Sequence, residues 1–183
     1  RVALIVQKLS DFSEPEVSPK EPVDVNALLS DLVKIVRESV QMESKVNMHL
    51  ELFPSLPMIF SEKNSLKQVF INLIKNAVES MSSGGDLFIE TRPYGETFQN
   101  QSFEDQISCD AIQVTFRDNG PGISEDVKAR LFEPFVTSKK GGHAGLGLSV
   151  VYNIVKELKG TITCQSEPPS GTRFDIVLPL KSN

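Results

Sequence analysis

The sequence has little of the chemistry that marks several protein classes. Its 183 residues include no tryptophan, and the cysteines Cys109 and Cys164 form neither a disulfide framework nor a metal-ligand spacing. This cysteine usage suits a reducing cytosol. The histidines His49 and His143 are too far apart in sequence to suggest a zinc site. No apolar run approaches the roughly 20 residues of a membrane span, and the opening residues lack the pattern of a signal peptide.

The charge and composition of the chain argue against binding to nucleic acid or to a membrane. The net charge of the chain is −5, whereas nucleic-acid-binding proteins usually carry clusters of basic residues. A hydrophobic content of 39% and a charged content of 23% are typical of a globular domain with a core. We therefore expect no nucleic-acid partner and no contact of these residues with a membrane.

The first residues follow a heptad pattern. Residues 1–13 place apolar side chains at a and d positions, the seam of a coiled coil or helical bundle, namely Val2, Ile5, Leu9 and Phe12. So short a helix needs a partner helix, and we expect the chain to belong to a longer protein. The alternative is a helix packed on its own domain. Residues 14–22 are proline-rich and predict an extended linker before a domain over residues 23–181.

The remaining pattern predicts a sheet with helices on one face. Helices are expected over residues 24–40, 61–81, 124–131 and 145–159. Strands are expected over residues 46–52, 86–91, 111–117, 161–165 and 172–178, with a long hairpin loop over residues 93–110. These elements predict an α+β fold, a two-layer α/β sandwich with a mixed, mostly antiparallel sheet.

The helix over 61–81 carries an unusual polar stripe. Asn72, Lys75, Asn76 and Glu79 recur at i, i+3, i+4 and i+7, so they share one helix face. A solvated face is the ordinary explanation. Asparagine, however, is a poor helix former, so two of them one turn apart suggest a use for their amide oxygens. The amide oxygen of Asn76 is suited to Mg²⁺.

Two turns add groups suited to a nucleotide. Asp118 ends a strand before a glycine turn, where its carboxylate could accept a hydrogen bond from an exocyclic amine such as that of adenine. It could equally bond its own turn. Gly145 and Gly147 open a helix, whose free N–H groups favour an anion. Residues 136–144 have the composition of a lid, in which Lys139 and Lys140 could reach a terminal phosphate. Lysines in lids, however, are usually only solvated.

Phe132 and Phe135 flank that lid. We expect them to be core residues that anchor it, and not to stack on a base. In the strand over 46–52, His49 falls on the polar face, so we expect it to be a solvated residue and not a ligand or nucleophile.

Several motifs in a fixed order carry a resemblance to a known family. They read Asn72-Leu73-Ile74-Lys75-Asn76-Ala77, Asp118-Asn119-Gly120-Pro121-Gly122, Phe132-Glu133-Pro134-Phe135, Gly145-Leu146-Gly147-Leu148 and Gly171-Thr172. In this order they resemble the catalytic ATP-binding domain of two-component sensor histidine kinases, in the superfamily shared with DNA gyrase B and MutL. The resemblance implies the Bergerat ATP-binding fold. Residues 11–15 also resemble the end of a dimerisation helix.

The resemblance implies a role for each matching residue. Asn76 would chelate the Mg²⁺ that bridges the phosphates of ATP, Asn72 would support it, and Lys75 would add a phosphate contact. Asp118 would bind the adenine amino group. Further nucleotide contacts would come from Gly120, Gly122, Lys139, Gly142, Gly145, Leu146, Gly147, Leu148 and Thr172. Relative to many members of the family, residues 143–144 add one residue, so the lid can align in two ways.

Position 72 separates two classes of enzyme. In the ATPases of the superfamily, a glutamate four residues before the metal-binding asparagine activates water. Asn72 cannot act as a general base. The resemblance therefore implies an ATP-dependent protein-histidine kinase. An ATPase, a protein-serine kinase and a degenerate nucleotide-binding scaffold remain as alternatives.

The acceptor histidine is expected outside this sequence. In relatives the acceptor lies on a dimerisation helix and is followed by an acidic residue, whereas His49 precedes Leu50 and His143 precedes Ala144. The resemblance thus implies an acceptor upstream of Arg1, a homodimeric parent protein, cytosolic or tethered to a membrane, and a response regulator downstream.

Overall fold

The fold is built on a five-stranded mixed sheet. The computed structural model describes residues 19–40, 45–95, 109–136 and 145–181. The helices are α1 (Val25–Val40), α2 (Lys63–Ser80), α3 (Glu125–Lys128) and α4 (Gly147–Glu157). The strands are β1 (Lys20–Val23), β2 (Val46–Leu52), β3 (Ile59–Glu62), β4 (Gly85–Tyr94), β5 (Ala111–Asp118), β6 (Thr161–Ser166) and β7 (Thr172–Pro179).

The main sheet has the order β2-β4-β5-β7-β6. β2 runs parallel to β4, and the other neighbours are antiparallel. α2 packs on α1, α4, β4 and β5, so the helices form a layer over the sheet. The predicted α+β two-layer sandwich with a mostly antiparallel sheet is confirmed. In the part of the chain that the structure describes, no helix is both long and apolar enough to cross a membrane.

Periodic apolar residues form the core between the two layers. α1 begins after Asp24, whose Oδ1 accepts a hydrogen bond from the backbone N–H of Ala27 at 2.9 Å and so caps the helix. Its predicted apolar face is buried at Leu29, Leu32, Val33 and Val36. Phe70 of α2 lies against Phe116 of β5, with ring centroids 5.8 Å apart. This packing fixes the polar stripe of α2 relative to the sheet.

A small second sheet was missed by the sequence analysis. β1 pairs antiparallel with β3, so the last residues of the predicted linker over 14–22 form a strand. The extended conformation expected of a proline-rich segment is therefore present but hydrogen-bonded. Pro22 is tolerated because β1 pairs on one side with β3 in a sheet of two strands. The heptad residues 1–13 lie outside the described residues.

β4 is longer than predicted and continues to Tyr94, into the segment expected to be loop. The pairing with β2 ends at Leu52 opposite Thr91, so Pro93 pairs with β5 only. A proline is acceptable there, because that part of β4 is an edge that needs no outward donor. The sequence analysis ended the strand at Thr91 and began the loop at Pro93, which was wrong.

Candidate functional site

A cavity of about 660 Å³ lies between α2, the turn after β5 and the start of α4. The predicted site residues that line it are Asn72, Lys75, Asn76, Asp118, Gly122, Gly145, Leu146, Gly147, Leu148 and Thr172. Gly120 is buried and acts through its backbone N–H, which bonds Asp118. Lys139 and Gly142, and the alignment around His143, lie outside the described residues. The structure thus brings most of the predicted site into one cavity.

Asp118 lies at one end of the cavity, which we call the base end. It is the last residue of β5, pairs with Thr172 of β7 and is 8% exposed. Its Oδ1 accepts a hydrogen bond from the N–H of Gly120 at 2.9 Å. Burial raises the pKa of the Asp118 carboxyl above its ordinary value, although backbone hydrogen bonds from Gly120 and Thr172 act to lower it. A buried carboxylate of this kind suits a ligand that carries a hydrogen-bond donor.

The turn before β7 approaches Asp118 closely. Gly171 has a φ of +90°, and a Cβ atom there would lie 2.0 Å from the carbonyl oxygen of Asp118. Only glycine fits this position, because any side chain would clash with the backbone. The Gly171-Thr172 pair therefore places Thr172 beside the carboxylate.

Apolar side chains that the sequence analysis did not assign to the site also line the cavity. They are Ile71, Leu87, Phe116, Ile123, Val127, Leu131 and Phe174. Phe116 and Phe174 are paired across β5 and β7, and Leu87 pairs with Asp118 across β4 and β5. The alternation of apolar residues in a strand can predict that they are buried, but it cannot show that they line a cavity. An apolar slot ending in a carboxylate suits a flat heterocycle with a polar edge.

The opposite end, the phosphate end, lies between α2 and the N-terminus of α4. A Cβ atom on Gly147 would lie 3.8 Å from Asn72 Oδ1 and 3.9 Å from Asn76 Nδ2, with no closer neighbour. The N-cap residue Leu146 makes no side-chain hydrogen bond to the first turn of α4. The start of α4 therefore presents backbone N–H groups and the positive end of the helix dipole to an open space lined by amides.

The donor set at the phosphate end fits Mg²⁺ only together with a ligand. Within the described ranges, no group of three His, Cys, Asp or Glu side chains could hold a metal. Mg²⁺ binds oxygen atoms and commonly combines few protein ligands with substrate phosphates and water. The amides of Asn72 and Asn76 border the space in which such an ion would meet phosphates. The residues therefore fit a metal that is bound jointly by protein and nucleotide.

The aromatic pair beside the lid differs from the prediction in part. Phe132 is half-buried and stacks on Tyr152, with ring centroids 5.2 Å apart. Phe135 is 75% exposed, so the expectation that it is a core residue was wrong. Its backbone N–H donates to the carbonyl oxygen of Gly145 at 3.1 Å. Residue 135 thus holds the two borders of the 137–144 segment together through its backbone and not through its ring.

A family model matches most of the chain. The model described as histidine kinase-, DNA gyrase B- and HSP90-like ATPase matches residues 61–182. The chain belongs to this family. Sporulation kinase E of Bacillus subtilis (strain 168) is 34% identical over 183 residues, which is 100% of this chain and 23% of that protein. The chain therefore spans about a quarter of that relative.

Solved structures share the fold. The catalytic domain of the histidine kinase ThkA gives a TM-score of 0.73 at 22% identity and covers 90% of this chain and 97% of its own. Full-length ShkA in complex with AMPPNP gives a TM-score of 0.71 at 22% identity, covering 100% of this chain and 36% of its own. ThkA has also been solved in complex with the response regulator protein TrrA. Within the family, the chain corresponds to the catalytic ATP-binding domain of sensor histidine kinases.

Proposed function

We propose that this chain binds Mg-ATP and acts as the kinase domain of a sensor histidine kinase, donating the γ-phosphate to a histidine outside this sequence. One observation carries the proposal. A single cavity has a buried carboxylate at one end and, at the other, the open start of α4 facing Asn72 and Asn76. A purine base suits the first end, and a phosphate chain suits the second.

At the base end, Asp118 accepts a hydrogen bond from the adenine amino group. Gly120 holds the carboxylate through its N–H, and Gly122 and Thr172 border the base. The apolar walls, including Phe116 and Phe174, exclude water from the ring. Together these contacts orient the nucleotide so that its phosphates extend toward α4.

At the phosphate end, the backbone N–H groups around Gly147 bind phosphate oxygens, flanked by Gly145, Leu146 and Leu148. Bound Mg²⁺ would neutralise phosphate charge and would be held by the Asn76 amide oxygen, with Asn72 beside it. Lys75 lines the same cavity and adds a positive charge. Lys139 and Gly142 complete the proposed contacts from the lid.

Phosphoryl transfer is favoured over hydrolysis at this site. An enzyme that hydrolyses ATP must position and activate a water molecule, and the residue one turn before Asn76 in this chain is an amide. Asn72 can orient groups by hydrogen bonds but cannot remove a proton. The groups at the phosphate end therefore act by positioning the phosphates and neutralising their charge, which is how enzymes catalyse phosphoryl transfer.

The acceptor and partners belong to the proposal as well. His49 lies on β2, is half-exposed, bonds Asp86 at 2.9 Å and is not among the residues that line the cavity. We therefore place the acceptor on a dimerisation helix of a homodimeric parent protein that works in the cytosol. A response regulator would receive the phosphate next.

Phosphorylation in trans tests this function. The chain is mixed with γ-labelled ATP, Mg²⁺ and a dimerisation helix pair from a related histidine kinase. We expect weak labelling of the supplied histidine. Asn76→Ala removes the label, whereas the matched variant Asn47→Ala, an exposed asparagine on β2, retains it.

Two outcomes contradict the kinase assignment. Label on His49 or His143 would place the acceptor within this chain. Release of free phosphate without labelled histidine would identify an ATPase.

A further inference from the structure

Ser166 is buried behind the base end and joins two loops of the site. It ends β6 and does not itself line the cavity. Its Oγ lies 2.8 Å from the backbone nitrogen of Ile123, 2.8 Å from the carbonyl oxygen of Gly171 and 3.1 Å from Thr172 Oγ1. One hydroxyl group therefore contacts the turn after Asp118 and the start of β7.

The direction of each of these hydrogen bonds follows from what the groups can donate. A carbonyl oxygen cannot donate, so the proton between Ser166 and Gly171 comes from Ser166. The N–H of Ile123 occupies one lone pair of Ser166 Oγ. A hydroxyl group has one donor and two lone pairs, so the remaining contact with Thr172 must use the second lone pair. Thr172 is consequently the donor in that bond.

This assignment fixes what Thr172 can offer to a ligand. Its single hydroxyl proton is used by Ser166, so toward the cavity its oxygen can only accept. Asp118, which pairs with Thr172 across β5 and β7, is also an acceptor when ionised. Both polar groups beside the base therefore require hydrogen-bond donors from the ligand.

We propose that Ser166 is a positioning residue which, by holding the Thr172 proton, selects purines with a 6-amino group over purines with a 6-oxo group. The inference rests on the proposed ATP-binding function. A 6-amino group carries two N–H donors, whereas a 6-oxo oxygen is an acceptor and faces an acceptor at Thr172. Without Ser166, the Thr172 hydroxyl can rotate and donate to that oxygen, and the discrimination weakens.

The experiment compares ATP with inosine triphosphate, which replaces the 6-amino group by an oxygen. Affinities of the chain for both nucleotides are measured by calorimetry with Mg²⁺. We expect Ser166→Ala to lower the ratio of ATP affinity to inosine triphosphate affinity by about tenfold, the effect of one hydrogen bond of the wrong polarity. Ser166→Thr keeps a hydroxyl group and should restore the parent ratio.

A second variant guards against a folding defect, because Ser166→Ala leaves the Ile123 N–H without its acceptor. Thr172→Val removes the selecting hydroxyl and should lower the same ratio. Adding Ser166→Ala to Thr172→Val should not change the ratio further, because the two residues act through one bond. A ratio equal to the parent's in both Ser166→Ala and Thr172→Val, with ATP still bound, overturns the role of Ser166 only. Failure of the parent chain to bind ATP overturns the proposed function as well.

Discussion

The two ends of the cavity are constructed in different ways. At the base end, strands β5 and β7 place Asp118 and Thr172 side by side. The N–H of Gly120 donates to Asp118, and Ser166 Oγ accepts a hydrogen bond from Thr172. At the phosphate end, the groups come from one face of α2 and from the start of α4. There the amide groups of Asn72 and Asn76 border the space beside Gly147, 3.8 and 3.9 Å from the position that a Cβ atom on this glycine would occupy.

This difference indicates a division of labour between recognition and chemistry. The base end is preorganised, since its buried acceptors are held by the protein before a ligand arrives. The phosphate end offers N–H donors and amide oxygens, which phosphates and a metal ion would complete under the proposed function. Substitutions at the base end should therefore change affinity with or without Mg²⁺, and substitutions of the amide side chains at the phosphate end should act mainly with Mg²⁺.

The largest effect is expected for Asn76→Ala. Losses of even outer partners of a metal site cost about 10–100-fold in metal affinity, so loss of a direct ligand should weaken Mg²⁺-dependent binding of a non-hydrolysable ATP analogue by about 100-fold or more. Without Mg²⁺, the variant and the parent should bind almost equally. Calorimetric titrations with and without Mg²⁺ check this. An equal loss under both conditions would contradict the assignment of Asn76 to the metal.

A pair of glycines separates binding from stability. Gly147→Ala places a methyl group in open space on a backbone without positive φ, so it should stabilise the chain by about 0.4–1 kcal/mol by restricting the unfolded state. It should also weaken nucleotide binding by about tenfold, because the methyl group blocks the approach of phosphate to the backbone N–H groups.

Gly160→Ala is the matched control, because its Cβ atom would lie 2.6 Å from the carbonyl oxygen of Val177 and away from the cavity. It should destabilise the chain by about 1–3 kcal/mol and leave the affinity of the folded protein unchanged. Thermal melts and titrations of both variants decide the matter. If Gly147→Ala bound nucleotide as tightly as the parent, the proposed contact between phosphate and the backbone N–H groups at Gly147 would be contradicted.

A smaller effect concerns stability and pH at Asp118. Its folded-state pKa lies above the ordinary value of 3.8, so the folded chain holds this proton more tightly than the unfolded chain. The free energy of unfolding therefore falls as the pH rises from the ordinary pKa through the folded-state pKa of Asp118. Asp118→Asn removes this cost, and without nucleotide it should melt above the parent near neutral pH. The difference should shrink as the pH falls to about 4, close to the ordinary pKa of an aspartate.

Circular dichroism melts across this pH range measure the effect. Asp31→Asn, which changes an exposed carboxylate on α1, is the matched substitution away from the cavity. A constant difference between Asp118→Asn and the parent at every pH would contradict a cost of charge burial.

Local periodicity located the long elements, although it ended β4 too early. The strand expected over residues 111–117 is present as β5, in which the alternating residues Ile112, Val114 and Phe116 are buried. The strands β1 and β3 were missed because each has four residues and exists through a pairing that joins distant parts of the chain. No window of sequence contains both partners.

The site was predictable where it depends on spacing within one element. The positions of Asn72 and Asn76 on one helix face, and of Asp118 at a strand end, could be derived locally. The contact between Ser166 and Ile123 spans a sequence separation of 43 residues and arises only after the sheet forms. Phe135 was wrongly predicted to be buried, because an aromatic side chain suggests a core position. In the structure its ring is exposed, and only its backbone N–H contacts Gly145.

The most direct test of a preorganised base end is a calorimetric titration of the chain and of Asp118→Asn with a non-hydrolysable ATP analogue and Mg²⁺. We predict binding by the parent chain and by Asp31→Asn. For Asp118→Asn we predict a loss on the order of 100-fold, because an amide donor would then face the adenine amino group. Equal affinity of Asp118→Asn and the parent, or no binding by the parent, would contradict the account.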